Sequence, residues 1–117
     1  MISIGTDIVK VSRIKTLIDK KKEKFLTKIF TEQEILYCNS YSEPEIHFSG
    51  KYAAKEAVKK ALLSNGLIDK ISLKDIKILN KNNNAPYVVI NNMIGLNCNI
   101  SISHEHEYAI AFAVVGK

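Results

Sequence analysis

The chain opens in strict alternation. Ile2, Ile4 and Ile8 fall on one face of an extended segment, and Ser3, Gly5, Asp7 and Val9 fall on the other. This predicts a strand over residues 2–9, with Asp7 near the end of a polar or small-residue face. The period then becomes helical. Ser12 stands where an N-cap would, ahead of an apolar stripe of Ile14, Leu17 and Ile18, with Arg13 and Lys15 turned outward. In FTEQEI, Thr31 and Glu34 have the spacing of a capping box, and Phe30 and Ile35 that of a hydrophobic staple, so a helix should begin near Glu32. The grammar returns in YSEPEI, with Ser42 and Glu45 as the box, Tyr41 and Ile46 as the staple, and Pro44 in the first turn. Asn65 and Gly66 then give a stop, so this helix should run from residue 43 or so to 64.

The second half of that long helix is KYAAKEAVKKAL, in which Ala53, Ala57 and Ala61 recur four apart and leave one face smooth. Beyond Gly66 the pattern is that of strands. LKDIKIL and PYVVI flank NKNNNA, a connection rich in turn-tolerant asparagine. NISIS (99–103) and YAIAFAVV (108–115) form a second pair around HEHE. In the last strand Tyr108, Ile110, Phe112 and Val114 alternate with Ala109, Ala111, Ala113 and Val115, so both faces are expected to be buried. The alanine face would receive the ridge of Ala53, Ala57 and Ala61. The expected class is α+β: one domain over residues 1–117, with the long helix and its neighbours covering one side of a mostly antiparallel sheet.

Composition narrows the function classes. With 46% hydrophobic and 25% charged residues, the chain reads as a globular protein rather than a disordered or fibrous one. Its most apolar run, Tyr108 to Val115, is too short to cross a bilayer as a helix, and MISIGTDIV lacks the basic lead of a signal peptide, so a cytoplasmic protein is expected. Cys38 and Cys98 lie in unlike contexts with no metal-type spacing, so reduced thiols are expected rather than a disulfide, and Cys98, His104 and His106 do not match a common zinc spacing. The net charge of +5 favours an acidic partner, but only Arg13 among the 17 basic residues is arginine, and no glycine-aromatic RNA motif supports a nucleic-acid module. The run DKKKEK reads as a solvated helix face.

Three signals remain. Asp7 ends a strand face, Glu56 sits on the long helix four residues before Lys60, and His104 continues the face of Ile100 and Ile102 at a strand mouth. Taken singly, each has an ordinary reading: a polar strand end, an i,i+4 charge pair, a structural histidine. Taken together, two carboxylates beside lysines could hold a hard cation, because magnesium binds through one or two carboxylates plus substrate phosphates and keeps several waters. Neighbouring lysines would then neutralise phosphate charge.

Four blocks in order carry a resemblance: IGTDIVKVSRI (4–14), FTEQE (30–34), FSGKYAAKEAVKKAL (48–62) and SISHEHEYAIAFAVV (101–115). The chain resembles the holo-acyl-carrier-protein synthase family of phosphopantetheinyl transferases over essentially its whole length. The resemblance implies transfer of 4'-phosphopantetheine from coenzyme A to a serine of an apo-acyl carrier protein, with release of adenosine 3',5'-bisphosphate, a step of fatty acid biosynthesis. It implies Asp7 and Glu56 as Mg2+ ligands and, with Lys60, as the catalytic group. Lys51, Lys55, Lys60, Ser103 and His104 are implied as coenzyme A contacts, and Arg13 as a contact to the acidic carrier protein. It also implies a homotrimer with sites between subunits; a carboxylate of the metal site, acting through a bound water, is one candidate for the general base. Lys51 and Tyr52 stand where arginine and tryptophan or phenylalanine are common, which keeps the charge and the ring but loses a bidentate phosphate fork. The hairpin NKNNNAP lacks the family's glycine before proline, so Asn83 or Asn84 should take the left-handed conformation. A catalytically idle homologue that only binds coenzyme A or the carrier is the rival reading within the family, and retention of Asp7, Glu56, Lys60 and His104 argues against it.

Overall fold

Residues 1–66 and 68–116 are described by a computed structural model. In chain order they form strand β1 (Ile2–Lys10), helices α1 (Val11–Lys21), α2 (Glu23–Ile29), α3 (Glu32–Asn39) and α4 (Pro44–Ser64), then β2 (Ile76–Asn80), β3 (Pro86–Ile90), β4 (Asn97–His104) and β5 (Tyr108–Gly116). β1, β5 and β4 make an antiparallel sheet in that order, and β2 and β3 make a separate antiparallel hairpin. The class is α+β, as the sequence predicts, with the antiparallel strands divided between two sheets.

Helix α4 lies across β1 and β5, and its sequence explains how closely. Ala53, Ala57 and Ala61 form one fully buried ridge, and Ala54, Val58 and Leu62 form another. Opposite them, Ala109, Ala111, Ala113 and Val115 make the buried face of β5, with Ser3, Gly5 and Val9 buried beside them on β1. Gly5 marks the tightest point: a Cβ there would stand 1.9 Å from the Ala57 carbonyl oxygen. Beyond the helix the core is completed by Ile14 from α1, by Ile76 and Ile78 from β2, and by Phe30 tilted against Phe48 with ring centroids 5.1 Å apart. Such an aromatic pair contributes roughly 0.5–1.5 kcal/mol beyond its area.

Element starts show where local grammar held. The Thr31 capping box is complete: Thr31 Oγ1 accepts from the Glu34 amide at 3.3 Å, and Glu34 Oε1 accepts from the Thr31 amide at 2.7 Å. The second box does not form. Glu43 rather than Ser42 precedes α4, with no side-chain cap, and Pro44 in the first turn removes one amide that would have needed an acceptor. Ser12 does not cap α1 either, because β1 runs directly into the helix with Lys10 at the boundary, and the Val11 amide is satisfied by the Glu107 carbonyl at 2.8 Å. Leu73–Asp75, expected to extend β2, forms a 3-10 turn, with Ser72 Oγ accepting from the Lys74 amide. In the hairpin, Asn84 takes the left-handed conformation at φ 70°.

The expectation that both faces of β5 are buried holds only for the alanine face. Tyr108, Ile110 and Phe112 are 40–46% exposed, and Ile2, Ile4 and Ile8 of β1 are 60–74% exposed. Cross-strand pairing places Ile8 beside Ile110 and Ile4 beside Val114, so these residues form one continuous apolar face turned away from α4. The hydrophobic half of the β1 alternation therefore points outward, and its small half packs on the helix.

Gly5→Ala is expected to lower the unfolding free energy by at least about 1–3 kcal/mol, since the backbone of α4 leaves no room for the methyl group. Urea unfolding checks this; an unchanged midpoint would mean that β1 and α4 do not meet so closely.

Candidate active site

The free flank of α4 carries the ridge Tyr52, Glu56 and Lys60. β1 brings Asp7 to this flank on the helix-facing side of the sheet. Lys60 Nζ donates to Asp7 Oδ1 at 3.1 Å and to the Thr6 carbonyl at 3.0 Å. The ammonium is half-exposed, so the pair itself contributes little to stability. Its consequence is positional: Lys60 reaches across to the strand instead of back along the helix, and among the described residues no cation pairs with Glu56. Tyr52 lies within the field of the same groups. Burial raises the pKa of its phenol, the Glu56 carboxylate raises it further, Arg13 lowers it and Asp7 raises it. Asp7, Glu56 and Arg13 thus all act on one half-buried tyrosine, whose ring stacks on Phe25 at 6.4 Å.

The opposite side of α4 borders a groove of about 260 Å³, lined by Tyr37, Tyr41 and His47, by Lys51 of α4, by Asn80, Asn84 and Pro86 of the hairpin, and by Ile102 and His104 of β4. Lys51 is only 4% exposed and donates to the Ile78 carbonyl and to Asn80 Oδ1, both at 2.6 Å. It also lies 4.5 Å from the centroid of the Tyr37 ring. Burial pulls its pKa down. The Tyr37 and Tyr41 hydroxyls are 3.0 Å apart, and burial with this bond pushes Tyr37 up to about 12. His104 is exposed at the groove rim, in the row of Ala109 and Val9, two residues along from the row of Asp7 and Ala111. Because β1 and β4 are the two edges of the sheet, Asp7 and His104 stand two strand spacings and two residues apart, roughly 12 Å. Ser103 pairs with Ile110 and lies on the exposed apolar face, away from both sites.

Lys55 is not brought to either place. Its ammonium is fully buried and contacts Glu34 Oε1 at 2.9 Å, the Leu73 carbonyl at 3.0 Å and the Ile76 carbonyl at 2.8 Å. Three protons meet three acceptors, leaving none for a ligand. Burial lowers its pKa, and the Glu34 charge and hydrogen bond oppose that fall. Glu34 in turn accepts from the Ile78 amide at 2.8 Å as well as from Thr31. One carboxylate therefore ties the start of α3, the middle of α4 and strand β2 together. The sequence marks Glu34 only as a capping residue; its partner stands 21 positions away and cannot be found by spacing.

Cys38 is buried and Cys98 half-buried, with burial pushing their thiols up to about 12 and about 11. Among the described residues, no three His, Cys, Asp or Glu side chains are grouped so as to hold a metal, and no helix is long and apolar enough to cross a membrane. A two-carboxylate set of Asp7 and Glu56 remains. It fits a hard cation that completes its shell from water and phosphate, and does not fit a zinc cage.

Residues 3–113 match the family described as the 4'-phosphopantetheinyl transferase superfamily. The chain is 43% identical to holo-[acyl-carrier-protein] synthase of Protochlamydia amoebophila, over 97% of this chain and 96% of that one. It is 45% identical to the protein of the same name from Thermodesulfovibrio yellowstonii, over 96% of each. The fold is similar to crystal structures of holo-[acyl-carrier-protein] synthase from Helicobacter pylori in complex with coenzyme A (TM-score 0.83, 32% identity, 97% of this chain and 99% of that) and from Bacillus anthracis in complex with CoA (3',5'-ADP) (TM-score 0.81, 31% identity, 97% and 94%).

Lys55→Met leaves the Glu34 carboxylate buried without its cation and is expected to cost about 3–5 kcal/mol. The double variant Glu34→Gln, Lys55→Met should lose clearly less than the sum of the two single changes. A double-mutant cycle in urea measures this, and strict additivity would show that the two groups do not act as a pair.

Proposed function

The chain belongs to the 4'-phosphopantetheinyl transferase superfamily, and on that premise we propose that it transfers 4'-phosphopantetheine from coenzyme A to a serine of apo-acyl carrier protein, dependent on Mg2+, with release of adenosine 3',5'-bisphosphate. The observation that carries this reading is the meeting of Asp7, Lys60 and a cation-free Glu56 on one flank of α4. The serine hydroxyl attacks the β-phosphorus, the bond from that phosphorus to the bridging oxygen breaks, and the electron pair leaves with the nucleotide. Asp7 and Glu56 would hold the magnesium, which supplies charge neutralisation at the pyrophosphate when bound. Lys60, already positioned over Asp7 by the Thr6 carbonyl, adds a mobile positive charge for the phosphate oxygens. A carboxylate of this site accepts the serine proton directly or through water.

Lys51 and His104 of the groove contact the remaining phosphate charge of coenzyme A. Arg13 is exposed on α1 beside Lys10 and Lys15 and faces the acidic carrier protein. Within one chain the groove and the carboxylates flank opposite sides of α4, whereas one coenzyme A must engage both. This favours a homotrimer in which the carboxylates of one subunit work with the groove of its neighbour. The uncovered apolar face of β1 and β5 is a surface of the kind that such packing would bury. Ser103 lies on that face and would act at the subunit junction. The acidic partner, the reduced thiols and the substrate suit a cytoplasmic enzyme of fatty acid biosynthesis.

Intact-mass analysis of an apo-acyl carrier protein incubated with this protein and coenzyme A tests the reaction. A gain of one phosphopantetheine is expected only with Mg2+ and only on a carrier that keeps its serine. Glu56→Gln should reduce turnover on the order of a hundredfold or more, and an unchanged rate would sink the metal-site assignment. Phe112→Glu should give monomers by light scattering and lose turnover together with assembly; an active monomer would remove the shared site.

A further inference from the structure

The groove holds a second imidazole that the proposed reaction leaves unused. His47 lies one turn before Lys51 on α4 and is half-buried. Its ring stacks on Tyr41 at 3.7 Å and 18°, meets His104 edge-on at 5.2 Å, and approaches Tyr37 at 6.4 Å. The bond between the Tyr37 and Tyr41 hydroxyls braces this aromatic platform. Stacking occupies the face of the His47 ring, and neither ring nitrogen has a hydrogen-bond partner among the described residues.

The groups around His47 make an anion the missing component. Tyr37 of α3 and Tyr41 after it are neutral phenols, Lys51 on its own helix is a cation, and His104 from β4 is a second imidazole. The acid at the helix start, Glu43, is 3.9 Å from His106. Lys51 spends two of its three protons on Ile78 and Asn80, so the buried ammonium at the groove wall has one left for a guest. Burial, then the charges of His104 and Lys51, lower the pKa of His47. A phosphate would reverse the sign of that local field.

We propose that His47 is a phosphate-binding residue of this groove, taking up a proton as a phosphomonoester enters and supplying the donor that Lys51 has committed elsewhere. The proposal rests on the reading that the groove receives coenzyme A or its nucleotide product. The sign follows from linkage. A group whose pKa is low when free and higher when occupied binds a proton together with the ligand, so affinity gains as pH falls through the window between the two values, by at most about tenfold per pH unit.

The test is calorimetric titration of the full chain with adenosine 3',5'-bisphosphate between about pH 5.5 and about pH 8, a range spanning the ordinary histidine value, in buffers of differing ionisation enthalpy. Wild type, His47→Phe and His47→Gln are compared. Phe keeps the stack on Tyr41 and removes the proton site. Both phosphates of the ligand titrate near pH 6, and taking differences between proteins removes their common contribution. Both variants should take up fewer protons on binding, with an affinity deficit about tenfold larger at the acid end than at the alkaline end. Should circular dichroism show His47→Phe misfolded, His47→Gln decides alone. Variants with the proton uptake and affinity profile of wild type would overturn the inference while leaving the functional reading intact. Wild type that binds neither the bisphosphate nor coenzyme A would overturn both.

Discussion

Everything in this molecule depends on how closely α4 can approach the sheet. A helix with ordinary side chains would stand off from β1 and β5; this one buries the small ridge Ala53, Ala57 and Ala61, and Ala57 and Ala61 lie so close to Gly5 that one added methyl group there would collide with backbone. Close approach brings Lys60 within hydrogen-bond reach of both the Thr6 carbonyl and Asp7. The packing of small residues on one side of the helix is therefore what assembles charged residues on the next. Stability and site geometry share one cause, and the alternation of Ser3, Gly5, Asp7 and Val9 carries both.

A second constraint acts on the other side. Lys51 and Lys55 are buried cations, and each is held by the β2 region: Lys51 with two of its three protons at Ile78 and Asn80, Lys55 with all three at Leu73, Ile76 and Glu34. Breaking one partner of such an arrangement is costly, because the other charge stays buried. The two lysines thereby hold the hairpin at a set distance from α4, and the groove is the space left between them. Its positive character follows from the same anchoring, since the ammonium of Lys51 lies at its wall.

Much of this was legible in the chain itself. The 3.6-residue period with its Asn65-Gly66 stop predicts α4 nearly to its observed ends, the alanine register predicts a buried small-residue ridge, whose Ala57 and Ala61 lie against Gly5 of β1, and the Asn-rich hairpin predicts a left-handed residue that proves to be Asn84. The failures have specific physical causes. Ser12 and Ser42 have the spacing of caps, but a strand feeding straight into α1 and a proline opening α4 change which amides need acceptors. The pattern of β5 predicts burial on both faces because its outward residues are as apolar as its inward ones; among the described residues nothing covers them.

By itself, the sequence determined the elements, the small-residue seam between helix and sheet, and the residue types able to hold a hard cation, because these depend on periodicity and side-chain chemistry along a local stretch. Tertiary structure alone decided the partners. Lys60 turned to Asp7 rather than Glu56, Glu34 became the counter-ion of Lys55, and His47 came edge to face with His104. Those choices join residues 21 to 57 positions apart, and the distances between them are set by packing density across the core, which no local pattern encodes.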